Sequence, residues 1–146
     1  MSAQTIAIAS DHAGFDLKEL LKGELRAAGH QIVDLGTASA ASVDYPDFGS
    51  ALAREIRDGR AGRGVLVCGT GIGIAIAANR EPAVRAAVVH DSTSARLARQ
   101  HNDANVIALG ARLVGSEVAK DCLRVFLETP FEGGRHAPRV AKLSTR

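Results

Sequence analysis

The chain has 146 residues, 46% of them hydrophobic, and a formal net charge of +2 with acidic and basic side chains interspersed. This length can bury a core of its own, so we expect one domain over residues 1–146, and the balanced charge with only one Tyr and four Phe argues against a nucleic-acid partner. No apolar stretch approaches the roughly 20 residues of a membrane span and no secretory leader is recognised, so we expect a cytoplasmic protein without a membrane partner.

Five short apolar runs predict buried strands, and segments with a helical period lie between them. Leucines between Leu17 and Leu25 keep this period until Gly29 ends it, and Pro46 suits the first turn of the next helix. In chain order we predict strand 5–9, helix 17–28, strand 31–35, helix 46–57, strand 64–67, helix 73–79, strand 86–89, helix 92–101, strand 106–109, helix 116–127 and a C-terminal helix from about residue 139.

Strict alternation of strands and helices favours right-handed crossovers and a parallel sheet covered on both faces. We therefore predict an α/β fold of three layers, with a Rossmann-like doubly wound sheet of five strands in the order 2-1-3-4-5 and a C-terminal helix. The switch point of this order lies between the first and third strands, where ligands bind outside the carboxyl ends.

The most informative segment is Gly64–Arg80, in which an apolar strand leads into a glycine-rich turn. Cys68 ends the strand beside the start of a helix, where the helix dipole and backbone donors favour a thiolate. Three glycines at alternating positions after it free the backbone amides to face a bound oxyanion. A lone cysteine is usually a small buried hydrophobic residue, but these glycines and Thr70 favour a reactive site. The second cysteine, Cys122, is predicted to lie in the core.

The loop after the first strand, Ser10–Gly14, meets the cysteine turn at the predicted switch point. Asp11 has the alternative role of N-cap of the first helix, and His12 that of an ordinary surface residue. The convergence of two loops with reactive side chains at one crevice favours a functional site over both alternatives.

A basic cluster near the C-terminus contains Arg135, His136 and Arg139. A solvated charge run, opposed by Glu132, is the simpler interpretation. Arginine, however, binds phosphate oxygens through two parallel hydrogen bonds. The spacing of Arg135 and Arg139 places both on one helix face, although Pro138 limits how far a helix extends across them.

The chief alternative is a dinucleotide-binding domain, because the turn Gly69–Gly71 follows a strand and Asp91 ends the next one. The fingerprint needs a third small residue where this chain has Ile74, and a complete sheet leaves no residues for a substrate domain. Asp91 is better explained as the cap of the helix from Ser92. Binding of NAD by itself would favour this alternative.

Six motifs stand in order along the chain: Asp11-His12-Ala13-Gly14, Asp44-Tyr45-Pro46, Cys68-Gly69-Thr70-Gly71-Ile72-Gly73, Ala77-Ala78-Asn79, Arg99-Gln100-His101-Asn102-Asp103 and Gly133-Gly134-Arg135-His136. With these motifs the chain closely resembles the type B ribose-5-phosphate isomerases over nearly its whole length. The resemblance implies an aldose-ketose isomerase of sugar phosphates that uses no metal and no organic cofactor. Ribose 5-phosphate is the expected substrate, with allose 6-phosphate, galactose 6-phosphate or a tetrose phosphate as alternatives, and a non-catalytic sugar-phosphate-binding module as a further one.

The resemblance also implies a role for each matching residue. Cys68 is the expected base that moves a proton between C1 and C2 through a cis-enediolate, and Thr70 assists transfer between the two oxygens. His101 and Asp11 are expected to serve ring opening. The expected substrate-binding residues are Gly69, Gly71, Ile72 and Gly73 at the anion hole, His12, Arg112, Arg135, His136 and Arg139 at the phosphate, and Tyr45 and Asn102 in the sugar pocket.

One branch of this family lacks the cysteine and has a catalytic glutamate at the position of Ile74. The aligned residues of this chain therefore permit only the cysteine mechanism. This agrees with the interpretation of Cys68 from its position alone.

Assembly follows from the predicted place of His101. A crossover helix runs antiparallel to the strands, so the carboxyl end of the fourth helix should lie at the sheet edge opposite Cys68. If His101 opens the sugar ring, as the resemblance implies, each subunit must supply it to its partner's pocket. We therefore expect a homodimer, or a dimer of dimers, with shared active sites.

Overall fold

The computed structural model describes residues 2–144, in which strands and helices alternate as predicted. Observed and predicted ends differ by a residue or two. The elements are β1 (Thr5–Ser10), α1 (Phe15–Ala27), β2 (Gln31–Asp34), α2 (Tyr45–Arg57), β3 (Arg63–Cys68), α3 (Ile72–Ala78), β4 (Ala86–Val88), α4 (Ser92–Asn102), β5 (Val106–Gly110), α5 (Ser116–Glu128) and α6 (Ala137–Leu143), with a short 3-10 helix at Gly134–His136.

The five strands form one parallel sheet in the order β2-β1-β3-β5-β4. The predicted α/β doubly wound class is confirmed, but the predicted order 2-1-3-4-5 is wrong at one edge. Every residue of β5 is buried, whereas β4 has only three residues, all partly exposed. The more apolar strand therefore lies beside β3, and the short strand takes the edge. The switch point between β1 and β3 is unchanged.

Alternating side chains of the strands fill two cores, one on each face of the sheet. The face covered by α1, α4 and α5 carries large residues such as Ile8 and Ile107, together with the fully buried Cys122. Burial raises the pKa of the Cys122 thiol to about 11. The face covered by α2 and α3 carries small residues such as Ala7 and Ala108, and Cys68 belongs to it. The prediction of Cys122 as a core residue is confirmed.

Close packing of α2 on α3 fixes the helix that follows the cysteine turn. A Cβ atom on Gly49 of α2 would lie 2.8 Å from the carbonyl oxygen of Ile74 in α3. Only glycine permits this approach. The position of α3, and of the turn before it, therefore depends on small residues in the neighbouring helix.

One ion pair joins a helix to the sheet, and one capping residue fixes the start of another helix. The ammonium of Lys18 in α1, which is only 1% exposed, contacts both carboxylate oxygens of Asp34 at 2.9 and 2.8 Å. Asp91 caps α4 by accepting a hydrogen bond from the amide of Ser94 at 2.7 Å, as predicted for the start of that helix. Within residues 2–144, no helix combines the length and the apolar composition needed to cross a bilayer.

Candidate active site

Cys68 is the last residue of β3 and is 4% exposed. Its Sγ accepts a hydrogen bond from the backbone amide of Gly71 at 3.2 Å. Gly71 has a φ of +79°, and a Cβ there would lie 2.9 Å from the carbonyl carbon of Leu109. The left-handed turn that brings an amide onto the sulfur therefore requires glycine at this position.

The rest of the turn connects the sulfur to the start of α3. The exposed Thr70 accepts a hydrogen bond at Oγ1 from the amide of Ile72 at 3.2 Å. A Cβ on Gly110 would lie 2.7 Å from the backbone carbon of Thr70, so the end of β5 supports the turn from below. The turn is thus held by its own hydrogen bonds and by the neighbouring strand.

Asp11 lies in the loop after β1, directly beside this turn. Its amide donates to the carbonyl of Val67 at 3.2 Å, and its Oδ1 accepts from the amide of Gly14 at 3.1 Å. Gly14, not Asp11, is the N-cap of α1, so Asp11 closes the turn that leads into the helix. His12 accepts a hydrogen bond at Nδ1 from the amide of Val43 at 3.2 Å, which orients its ring.

Two further predicted residues contact the glycine turn. The ring of Tyr45 lies against Gly73, since a Cβ on that glycine would lie 2.5 Å from the tyrosine Cε1. The guanidinium of Arg112 lies against Gly69, where a Cβ would lie 3.2 Å from Nη1, and the Arg112 amide donates to the Gly69 carbonyl at 3.0 Å. We call this group the cysteine crevice, and it consists of Asp11, His12, Tyr45, Cys68, Gly69, Thr70, Gly71, Ile72, Gly73 and Arg112.

The remaining predicted residues line a separate cavity of about 420 Å³ at the end of α4. The imidazole rings of His101 and His136 stack there, with centroids 4.5 Å apart and an interplanar angle of 16°. Val140 and Leu143 of α6 form the apolar wall. We call it the histidine cavity, and its polar lining consists of His101, Asn102, Arg135, His136 and Arg139.

The two arginines reach this cavity from different elements. Arg135 lies in the 3-10 helix, which passes directly into α6 at Ala137, and Arg139 follows Pro138 in the first turn of α6. The two arginines therefore do not share one α-helix, but both line the same cavity. Burial lowers the pKa of His136, the charges of His101 and Arg135 lower it further, and the nearby carboxylate of Glu132 opposes them.

The sequence analysis gave Glu132 no part in a site. Its Oε1 lies 3.7 Å from Nε2 of His136 and 4.0 Å from Nε2 of His101, so one carboxylate oxygen is close to the Nε2 atoms of both stacked rings. The four-residue spacing from Glu132 to His136 was the available signal. The contact with His101 depends on how the C-terminal segment packs on α4, which the spacing does not specify.

The cysteine crevice and the histidine cavity lie at opposite ends of the parallel strands. In the pairing of β3 with β5, Cys68 is opposite Gly110 at the carboxyl end and Gly64 is opposite Val106 at the amino end. Four residues of strand span about 13 Å. His101 lies at the end of α4, just before β5 begins at Val106, and so at the amino ends of the strands, away from Cys68. The chain therefore does not bring its own His101 to its own Cys68.

The doubly wound sheet defines a small α/β protein whose candidate site, a buried cysteine and a glycine turn, lies at the switch point where such folds bind ligands. The family model described as ribose/galactose isomerase matches residues 6–143. The chain thus belongs to the ribose/galactose isomerase family and groups with its type B ribose-5-phosphate isomerases, as the motifs predicted.

Individual relatives agree with this membership. Ribose-5-phosphate isomerase B of Escherichia coli is 44% identical over 139 residues, which is 95% of this chain and 93% of that protein. D-erythrulose-4-phosphate isomerase of Pectobacterium atrosepticum is also 44% identical, over 95% of this chain and 92% of that protein. The solved structure of Clostridium thermocellum ribose-5-phosphate isomerase B superposes with a TM-score of 0.95 at 48% identity, covering 96% of this chain and 95% of that one. This protein is accordingly an isomerase of the sugar-phosphate isomerase class.

Proposed function

We propose that the protein interconverts ribose 5-phosphate and ribulose 5-phosphate, with Cys68 as the base. The observation that carries the proposal is the hydrogen bond from the Gly71 amide to the Cys68 sulfur at the switch point of the sheet. This hydrogen bond fixes the sulfur at the carboxyl end of β3, where a thiolate would be the form that accepts the substrate proton. The relatives named as ribose-5-phosphate isomerases support this choice of substrate.

The reaction moves one hydrogen between carbons and one between oxygens. The Cys68 thiolate takes the proton from C2 of the open-chain aldose while O1 gains a proton, which gives a cis-enediol or its enediolate. The proton on the sulfur then returns to C1, and O2 loses its proton as the ketose carbonyl forms. Thr70, an exposed residue two positions after Cys68 in the same turn, is suited to relay the proton between O2 and O1. The steps balance without an external oxidant or reductant.

The enediolate carries negative charge that preorganised donors stabilise. The Gly71 amide is engaged by the sulfur and the Ile72 amide by the Thr70 hydroxyl. The amides of Gly73 and Ile74 belong to the first turn of α3, where amides have no partner within the helix. We assign the anion hole chiefly to these two amides, and the loss of one such donor costs about 2.7 to 4 kcal/mol of barrier.

Ring opening needs a group that protonates the ring oxygen, and imidazole suits this at neutral pH. We assign this role to His101 of the partner subunit, because the chain's own His101 lies at the opposite ends of the strands from Cys68. Asp11, held by the amide of Gly14, assists from the cysteine crevice. The exposed apolar side chains of Ile72 and Ile76 beside that crevice supply surface that a second copy of the chain would cover.

We assign binding of the substrate phosphate to the basic side chains of the cysteine crevice and of the histidine cavity. His12 and Arg112 would act from the cysteine crevice, and the two arginines of the histidine cavity would act from the partner. Tyr45 and Asn102 would line the sugar between them. Both cysteines are free thiols, which fits the reducing cytoplasm that we propose as the compartment.

A tetrose phosphate is the second candidate substrate, favoured by the similarity to a D-erythrulose-4-phosphate isomerase. The test is kcat/KM for four-, five- and six-carbon aldose phosphates, because discrimination between substrates is expressed in that ratio. The proposal expects ribose 5-phosphate to give the highest ratio. A higher ratio for the four-carbon or a six-carbon sugar would replace the substrate, and absence of turnover with all of them would overturn the proposal.

A further inference from the structure

Three metal-ligating side chains converge in the histidine cavity, and only two of them were expected in a site. His101, Glu132 and His136 each offer one ligand atom, and these three atoms lie within 4.8 Å of one another. The backbone holds them in place, because the Glu132 amide donates to the Gln100 carbonyl at 3.1 Å and the His136 amide donates to the Gly133 carbonyl at 3.0 Å. The cluster thus joins the end of α4 to the C-terminal segment.

Two imidazoles and one carboxylate are a ligand set that Zn²⁺ takes when a fourth position stays open. Ligand atoms around tetrahedral zinc lie about 3.3 Å apart, given metal–ligand distances near 2.0 to 2.1 Å. The carboxylate oxygen of Glu132 is 3.7 Å from one imidazole nitrogen and 4.0 Å from the other. The side chains of His101 and Glu132 are 39% and 50% exposed. Because the two imidazoles stack nearly parallel, at 16°, their Nε2 atoms do not point at one position, so the His101 ring must turn out of the stack to share an ion with His136, and its exposure leaves space for this turn.

The charges around the cluster decide which cations suit it. Arg135 and Arg139 line the same cavity and oppose any cation, while Glu132 offsets part of their charge. Mg²⁺ and Ca²⁺ prefer several oxygen ligands, which this cluster does not provide. Imidazole ligands suit Zn²⁺, so Zn²⁺ is the cation that this ligand set favours.

We propose that His101, Glu132 and His136 form a Zn²⁺-binding site and that the bound ion inhibits the isomerase by competing with the sugar phosphate. The binding claim stands on the cluster alone. The inhibition claim rests on the proposed function, which assigns His101 and His136 to the substrate.

Binding is tested by calorimetric titration of the full chain with Zn²⁺ in a buffer without phosphate. We expect one site per subunit, and Glu132→Gln should weaken binding by at least about tenfold, since even groups that merely support a ligand contribute that much. Glu117→Gln is the matched control, because Glu117 is an exposed carboxylate on α5. Equal affinity of Glu132→Gln and wild type would overturn the site. So would a loss of binding in Cys68→Ala alone, since the thiol would then be the ligand.

Inhibition is tested by measuring isomerase activity with ribose 5-phosphate at increasing Zn²⁺. We expect a raised apparent KM with unchanged kcat in wild type, an inhibition constant at least about tenfold higher in Glu132→Gln, and no effect of Mg²⁺ at the same concentrations. If Zn²⁺ binds as expected but does not inhibit the isomerase, the proposed competition between the ion and the sugar phosphate is wrong. A protein that binds zinc at the cluster but turns over no sugar phosphate would overturn the proposed function and leave the metal site standing.

Discussion

The amide of Gly71 donates a hydrogen bond to the sulfur of Cys68 across 3.2 Å, which makes one short turn responsible for both the position and the electrostatic environment of the thiol. The turn exists because Gly71 adopts a φ of +79° against the backbone of β5. Chemistry at the sulfur and packing of the sheet are therefore coupled through a single glycine.

Replacement of Cys68 by alanine should lower kcat by at least about 100-fold, because proton transfer by a positioned base contributes that much or more. Binding of ribose 5-phosphate, measured by calorimetry, should change little. Iodoacetamide should inactivate the wild-type enzyme, and substrate should protect it.

Cys122 provides the internal control for this chemistry. It is fully buried and its pKa is raised to about 11, so it should resist alkylation until the protein unfolds. Mass spectrometry of the alkylated protein locates the label. Full activity in Cys68→Ala, or inactivation that accompanies labelling of Cys122 alone, would contradict Cys68 as the base.

Substitution of Gly71 by alanine should destabilise the fold as well as disrupt the turn. Gly59 is the matched control, because it has a similar φ of +74° but open space where a Cβ would stand. Gly59→Ala should cost about 1 to 2 kcal/mol for the left-handed backbone alone. Gly71→Ala should cost about 1 to 3 kcal/mol more, from contact with the backbone of β5. Urea unfolding monitored by circular dichroism measures both, and equal costs would show that the contact with β5 does not matter.

Asp34 should make the stability of the protein depend on pH in the acidic range. Its burial opposes ionisation, but hydrogen bonds from Lys18, Lys22 and the Gly36 amide outweigh this and hold the pKa of Asp34 below its ordinary value. Because the folded pKa is lower than the unfolded one, the stabilisation is present above about pH 4 and is lost as the pH falls through the folded value.

Asp34→Asn should therefore lower the free energy of unfolding by about 1.5 to 3 kcal/mol at neutral pH. The difference from wild type should shrink below about pH 4. Asp121→Asn, at an exposed position on α5, is the control and should have little effect at either pH. A difference that stays constant down to the acidic limit would contradict the role of the ionised carboxylate.

The strand order illustrates what sequence patterns predict and what they leave open. The alternation of apolar runs and helical segments was enough to place each element within residues 2–144 and to predict the parallel sheet. The order of β4 and β5 depends on which strand buries more surface beside β3. In the structure all five residues of β5 are buried, whereas the three residues of β4 are partly exposed. The prediction used only the commonest order for five strands and so placed these two strands wrongly.

For the candidate site as well, some features could be predicted from the sequence and others required the folded structure. The family resemblance named the polar residues that line the cysteine crevice and the histidine cavity, and Cys68 could be placed at the end of its strand from the sequence alone. The contact of Glu132 with His101 could not, because it depends on the packing of an irregular segment against α4. Local patterns specify elements, whereas side chains joined by long-range packing need the folded chain.

Arg139→Ala should raise KM for ribose 5-phosphate by about tenfold or more and leave kcat nearly unchanged, if the arginine binds the phosphate equally in the ground state and the transition state. Arg124→Ala is the control. Arg124 is exposed on α5, and its ion pairs within residues 2–144 are with the surface carboxylates of Asp121 and Glu128. Steady-state kinetics separate the two parameters. A variant with both parameters unchanged would make Arg139 an ordinary solvated charge.

The shared site predicts complementation between two inactive variants. Cys68→Ala and His101→Asn subunits, mixed and reassociated, should form dimers in which one site combines an intact Cys68 with an intact His101 of the partner subunit, while the other site lacks both. Half of randomly reassociated dimers are mixed, so activity should recover to about one quarter of wild type. Subunit exchange is verified by mass spectrometry of the intact dimers.

The reciprocal mixture makes the test decisive, because it reverses the expected outcome. Wild-type subunits mixed with the double variant Cys68→Ala/His101→Asn give dimers with no intact site if His101 acts across the interface, and with one intact site if it acts within its own subunit. Exchange should therefore lower the activity of this mixture by about half in the shared arrangement and leave it unchanged otherwise. An unchanged activity here, with no recovery in the first mixture, would place His101 and Cys68 in the same subunit's site, against the strand register that separates them.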